Sequence, residues 1–320
     1  MSIKRFVANK DTTITNAFKE NLVSRGIDAN MGVADSLEVF SIYGQSTTSS
    51  LEKSRILVEF PITDLLNDRT SGKIPNSGSV QFYLRLFNVE HPFSVPRDFS
   101  MTVNPISKSW EEGYGLDMEG YSDKGFVSGS GGVGTTWIMA GSSSFWNSQG
   151  GDIITGSQYD LTASFQTGLE NIDLDITSIV EEWIDGTLPN YGLLVKLSSS
   201  YEDGSSLGSF YTKKFSARGS EFYFNRPCIE ARWNPSVTDD RNNFYANSVL
   251  LSPEDNTMNL YFYNKVGGEL KNVYGNPDID IKFYTDSQLN NEIVASSSII
   301  VNPLPGVYKA CLLYTSDAAD

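Results

Sequence analysis

Histidine is nearly missing from these 320 residues: His91, followed by Pro92, is the only one. A Ser-His-Asp triad would have to be built on it, and no G-x-S-x-G turn is present to supply the nucleophile. His91 therefore reads as a loop residue. Cysteine is scarce too, with only Cys228 and Cys311. Two cysteines at that spacing make neither a disulfide framework nor a zinc site. Positive charge is short: 24 Lys and Arg stand against 39 Asp and Glu, a net charge of -15. Such a surface repels phosphate backbones and anionic lipid, which argues against nucleic-acid binding and membrane docking. There is no apolar run of about 18 residues that could cross a bilayer as a helix. The opening MSIKRFVANKDTTITNAF has no apolar stretch of about 7–15 residues, so no secretory leader is expected. The glycine-rich GSGGVGTT (129–136) lacks the G-K-[ST] ending of a phosphate-cradling loop and reads as a flexible loop.

What is present points to short strands. Charged residues make up only 20% of the chain, and Gly, Ser, Asn and Thr fill the gap. That balance suits strands joined by many turns rather than long surface helices. SRILVEFPI places Ile56, Val58 and Phe60 on one face at period two. SVQFYLRLFNVE alternates Val80, Phe82, Leu84 and Leu86 with Gln81, Tyr83, Arg85 and Phe87, a strand with one buried face. In RPCIEARW, Cys228 shares a face with Glu230 and Arg232. Residues 107–150 are rich in Gly, Ser and aromatics and too long for a hairpin loop. They read as a decorated loop between strands. The polar segment 236–245 reads as a linker. Beyond it, short strands with Gly, Pro and Asn turns suggest an immunoglobulin-like sandwich over 246–310, short for such a domain. No internal repeat is evident.

The stretch DLDITSIVEEWIDGTLPNYGLLVKL (173–197) sets Glu181, Glu182 and Asp185 around Trp183, as a glycoside hydrolase sets its paired carboxylates beside an aromatic ring. Helical periodicity separates them. Ile176, Ile179, Val180 and Trp183 form one apolar stripe of a helix over about 176–185. The three acids fall on the water side. Asp175 or Thr177 is placed to cap the helix, and Gly186 to close it.

The same stretch carries a family likeness. DITSIVEEWIDGTLPNYGLLVK resembles the signature of DNRLRE-type domains through Asp175, Thr177, Val180, Trp183, Gly186, Pro189, Asn190, Tyr191 and Gly192. DTTITNAF, SRILVEFPI, SWEEGYG, TTWIM, KKFSARGSE and NRPCIEARW, the last with Arg226 and Pro227, follow in the family's order. The likeness covers about 8–235, with an insertion of about 111–136 between Trp110 and Trp137. It implies an all-β, jelly-roll β-sandwich (1–235) with one short covering helix. It further implies an accessory, non-catalytic module of extracellular or cell-surface proteins, some of which bind polysaccharides such as alginate.

The last ten residues, CLLYTSDAAD, resemble at every position the translation of a common transposase sequencing adapter. That likeness implies an assembled environmental fragment with a foreign tail (311–320), in which Cys311 is not native and the second sandwich is incomplete. Without the tail's Asp317 and Asp320 the net charge would be -13.

The sequence reading is a bacteriophage virion structural protein, tail-associated or capsid-decorating, that contacts host-surface glycans. A leaderless start combined with a surface-type module motivates it. The alternatives are a cellular extracellular carbohydrate-binding module and, third, a polysaccharide lyase or hydrolase. No catalytic constellation is expected. The expected partners are other virion proteins and host-surface polysaccharide, with a homo-oligomer open. Tyr114, Tyr121, Phe126 and Trp146, set among Gly and Ser in the insertion, are the candidate sugar-stacking rings. Asp117, Glu119 and Asp123 in the same loop are candidate oxygen ligands for Ca2+, the one cofactor considered, although they miss the D-x-[DN]-x-[DN]-G spacing.

Overall fold

The computed structural model describes residues 2–43, 51–90, 95–122, 134–203, 205, 210–234, 250, 252, 257–275, 282–284, 286–293 and 299–313. His91, the 236–245 segment, and 314–320 lie outside these residues, as do Asp123 and Phe126. Two compact units emerge, one of residues 2–67 and 76–233, the other of 68–75 with 234 onward.

The chain runs through β1 (Ser2–Val7), β2 (Lys10–Thr15), β3 (Ser36–Tyr43), β4 (Leu51–Glu59), α1 (Ile62–Thr70), β5 (Val80–Leu86) and β6 (Phe99–Pro105). It continues through β7 (Met139–Gly141), β8 (Ser144–Phe145), β9 (Leu161–Phe165), β10 (Ile172–Asp175), α2 (Thr177–Asp185), β11 (Leu193–Leu197), α3 (Ser199–Glu202), β12 (Phe210–Ser216) and β13 (Cys228–Trp233). Strands take 41% of the chain and helices 10%, far below the helix share of an average globular protein, so the fold is all-β. The sequence pattern anticipated one helix; α1 and α3 are two more. The apolar run read as SRILVEFPI ends its strand at Glu59, and Pro61 starts the turn into α1.

Two antiparallel sheets form the larger unit, with orders β1-β13-β5-β10 and β12-β3-β4-β11-β6-β9, β2 pairing with β4. Take the eight strands β1, β4, β5, β6, β9, β10, β11 and β13 as first to eighth. The sheets are then first-eighth-third-sixth and second-seventh-fourth-fifth. Those are the interlocked Greek keys of a jelly roll. Every connection among the eight crosses between sheets except β6 to β9, and that connection holds the long insertion. β2, β3 and β12 widen the second sheet.

The interior follows the pleat. Phe82, Leu84 and Leu86 of β5 share a face opposite Ile229 and Ala231 of β13 and Phe6 of β1. From the other sheet come Ile56 and Val58 of β4, Leu193, Val195 and Leu197 of β11, and Met101 and Val103 of β6, all fully buried. Burying each such side chain contributes about 1.5–3 kcal/mol.

The larger sheet is buried on its outer face as well. Ile14, Leu57 and Leu194 point away from the interior and meet Ile106, Trp110, Trp137, Ala140 and Trp146. The residues flanking the insertion, 106–110 and 137–146, thus pack down over the sheet. Each of two indoles finds a carbonyl: Trp110 Nε1 donates to Tyr191 O at 2.9 Å and Trp146 Nε1 to Thr136 O at 3.0 Å.

Helix α2 forms as its periodicity predicts. Ile179, Val180 and Trp183 are buried, and Gly186 closes the helix at φ 81°. Ile176 occupies the N-cap position. The capping work falls to Asp175, whose Oδ1 accepts the Thr177 N–H at 2.9 Å, while Thr177 Oγ1 accepts the Phe82 N–H. Asn190 then turns the chain: its amide donates to Phe60 O at 2.8 Å and its Oδ1 accepts the Gly192 N–H. Gly192 sits at φ 82°, where a Cβ would fall 2.1 Å from Val58 O. Only glycine fits there.

In the second unit β14 (Thr257–Tyr263), β20 (Val307–Leu313) and β19 (Ile299–Leu304) form an antiparallel sheet over a small core of Met258, Leu260 and Ala310. Two hairpins accompany it, β15 (Lys265–Val266) with β16 (Glu269–Leu270), and β17 (Phe283–Tyr284) with β18 (Glu292–Ile293). Residues 311–313 of the adapter-like tail continue β20.

Candidate ligand-binding face

The rings expected to stack sugars separate in the structure. Trp146 is 6% exposed in the cluster under the insertion and holds the loop onto the sheet. This corrects the expectation that it stacks on a ligand: an indole among Leu57, Leu194 and two other tryptophans is core. Tyr114 is half-buried, and Tyr121 is exposed. The loop acids are engaged by backbone. Asp117 Oδ1 accepts the N–H of Glu119 and of Tyr121, and Glu119 Oε1 accepts the Glu20 N–H at 2.8 Å. Among the described residues no group of three His, Cys, Asp or Glu is gathered as a metal site. On α2, Trp183 faces the core and Glu182 accepts the Tyr159 hydroxyl at 2.7 Å. The carboxylates and the ring share no pocket.

A different site lies on the outer face of the four-stranded sheet. Cross-strand register brings Arg5 of β1 opposite Glu230 of β13, Glu230 opposite Tyr83 of β5, and Asp173 of β10 opposite Arg85. Glu230 is 2% exposed and sits at the centre. It accepts from Arg5 Nε at 2.7 Å, from Arg232 Nε at 2.7 Å and from Arg85 Nη1 at 3.4 Å. Asp173 bridges Arg232 and Arg85 at 2.9 and 3.3 Å. Burial alone would raise the Glu230 carboxyl. The hydrogen bonds from Arg5 and Arg232, with the charges of Arg232 and Arg85, outweigh it and hold the group below the usual range. Aromatic faces lie beneath the guanidinium groups, Tyr83 at 4.0 Å from Arg232 and Phe87 at 5.3 Å from Arg85. The Cys228 thiol is free, and burial pushes it up to about 11, so it is no nucleophile.

Beside this cluster opens a groove of about 350 Å³ lined by Ile3, Arg5, Val7, Tyr223, Phe224, Arg226 and Cys228. Tyr223 and Phe224 are 57% and 76% exposed. They belong to the short 3-10 turn Tyr223–Asn225, pinned by Arg226 Nε donating to Ser220 O at 2.9 Å. Arg5 and Arg226 each commit only Nε to a hydrogen bond among the described residues, while their guanidinium groups lie 5.6 Å from the Phe87 ring and 5.4 Å from the Tyr223 ring. Two forks with open donors, an apolar floor and two exposed rings therefore converge. Four arginines stand there against Glu230 and Asp173 on a chain of net charge -15. The arrangement sets hydrogen-bond donors beside exposed ring faces. Sequence reading missed it because its residues come from β1, β5, β10, β13 and the 220s. The available signal was the run Phe222-Tyr223-Phe224, three rings in a turn between Glu221 and Asn225.

No model of a protein family matches the chain, and no curated protein matches it.

Proposed function

We propose that the chain is a non-catalytic, DNRLRE-type binding and structural module that holds an acidic glycan in the groove beside Arg5 and Arg226. The observation that carries this is the pair of guanidinium groups with open terminal donors beside the exposed Tyr223 and Phe224. A planar fork matches a carboxylate or sulfate, and ring faces match the C–H faces of a sugar. The jelly-roll order of the sheets supports the family reading, because it is the fold the α2 signature implies. On a virion, as a tail-associated or capsid-decorating component, such a module gives contact with host-surface polysaccharide. The second unit is then an immunoglobulin-like companion.

Calorimetry of the full chain against a polyuronate and a neutral glucan tests the groove. The uronate binds, salt weakens it, and Arg5→Gln or Arg226→Gln each loses about 10- to 100-fold, the worth of a hydrogen bond to a charged group. Equal affinity for both polymers, or no change in the variants, sinks the reading. Proteomics of purified particles separates a virion component from a cellular extracellular module carrying the same groove.

A further inference from the structure

Lys213 has no place in that groove, yet it is the one fully buried lysine among the described residues, at 0% exposure. It lies on β12, on the same face of the strand as the buried Phe215. Its Nζ donates to Asn88 Oδ1 at 2.6 Å and to Gly168 O at 2.8 Å. The rings of Phe165 and Phe215 flank it at 5.1 and 5.3 Å. No carboxylate pairs with it directly among the described residues. The nearest influence of that kind is Glu170, two residues beyond Gly168, whose charge acts on the amine. Glu170 Oε1 accepts the N–H of Gln166 and Thr167, while its Oε2 is buried without a hydrogen-bond partner.

For packing alone this is a poor choice. An ammonium taken out of water without a counter-ion is costly, and an apolar side chain would fill the space at less expense. Burial pulls the amine down to about 8, so an appreciable share is neutral and nucleophilic near neutral pH. The amine lies against the side-chain amide of Asn88, flanked by the Phe165 and Phe215 rings and held by Gly168 O. That is the proximity an intramolecular acyl transfer needs.

We propose that Lys213 and Asn88 join in an intramolecular isopeptide bond. The Nζ lone pair bonds to Cγ of Asn88. A proton passes from the attacking nitrogen of the tetrahedral adduct to Nδ2. The Cγ–Nδ2 bond breaks and ammonia leaves, with no oxidant and no cofactor. The product is a neutral secondary amide, and its remaining N–H still serves Gly168 O. A buried charge is removed in the process. β12 ends the seven-stranded sheet, and Asn88 follows β5 of the four-stranded sheet. Asn88 already bridges Phe215, so the bond locks the segment that follows β5 onto β12 across 125 residues of sequence.

Intact-mass spectrometry of the purified, folded full chain decides. The chain should weigh one ammonia less than its sequence, and digestion should yield one branched peptide joining the segments of Asn88 and Lys213. Asn88→Ala and Lys213→Met should each restore the sequence mass. A folded wild type that keeps its full sequence mass through long incubation above about pH 8 overturns the proposal. So does an ammonia loss that maps to a peptide without Lys213.

Discussion

Arg55 does three things with one guanidinium. Its Nε and Nη2 donate to Glu202 at 2.9 and 2.7 Å, its Nη1 donates to Gly150 O at 2.8 Å, and its plane lies 5.1 Å from the Trp137 ring. Both charged ends are largely buried. Arg55→Leu leaves the Glu202 carboxylate without its partner, and denaturant unfolding should show a loss of about 3–5 kcal/mol. Arg55→Leu with Glu202→Leu should recover most of that loss, since both charges then leave together. Asp11 is the opposite kind of residue. Burial, with the charge of Glu112 adding to it, raises its carboxyl to about 7 against the backbone hydrogen bond from Arg218. The folded state thus keeps a proton that the unfolded chain gives up near 3.8. Stability is greatest below that value, declines as pH rises toward about 7, and stays reduced above it. Asp11→Asn removes the titration and keeps an acceptor for the Arg218 N–H. Melting at pH 8 should rise by about 2–4 °C, roughly 1 kcal/mol for a domain of this size. Melting at pH 4 should hardly change.

At the scale of elements, the insertion is the informative case. Trp137 sits between Arg55 and the core under the loop, so Trp137→Ala should cost about 3–5 kcal/mol, like other large-to-small core changes. A change within about 0.5 kcal/mol would mean that the loop is only draped over the sheet. The sequence held a clue to this packing. Ile56-Leu57-Val58 and Leu193-Leu194-Val195 are apolar at consecutive positions, and a strand reads that way when both its faces are buried. Period-two reading credits only Ile56 and Val58, or Leu193 and Val195, and leaves Leu57 and Leu194 unassigned. Helix α2 was legible because one apolar stripe and one closing glycine are both local in sequence. Helix α1 was not: Leu65 is buried but the segment has little stripe to follow, and the strand before it masks its start.

At the scale of the molecule, an all-β sandwich could be expected from the short alternating strands, whereas the arginine cluster could not. Arg5, Tyr83, Asp173, Tyr223 and Glu230 are ordinary singletons until the strand order β1-β13-β5-β10 brings them side by side. The two outer faces of the sandwich are consequently unlike. One lies under Trp110, Trp137 and Trp146, and the other carries the arginine cluster. That strand order also has a mechanical side. β1 and β13 are neighbours, with Ser2 opposite Trp233. The chain therefore comes into and leaves the sandwich at adjacent points. Tension applied at Ser2 and Trp233 would unzip β1 from β13 one rung at a time instead of shearing the whole ladder at once, and under load the first strand would peel away before the two sheets are parted.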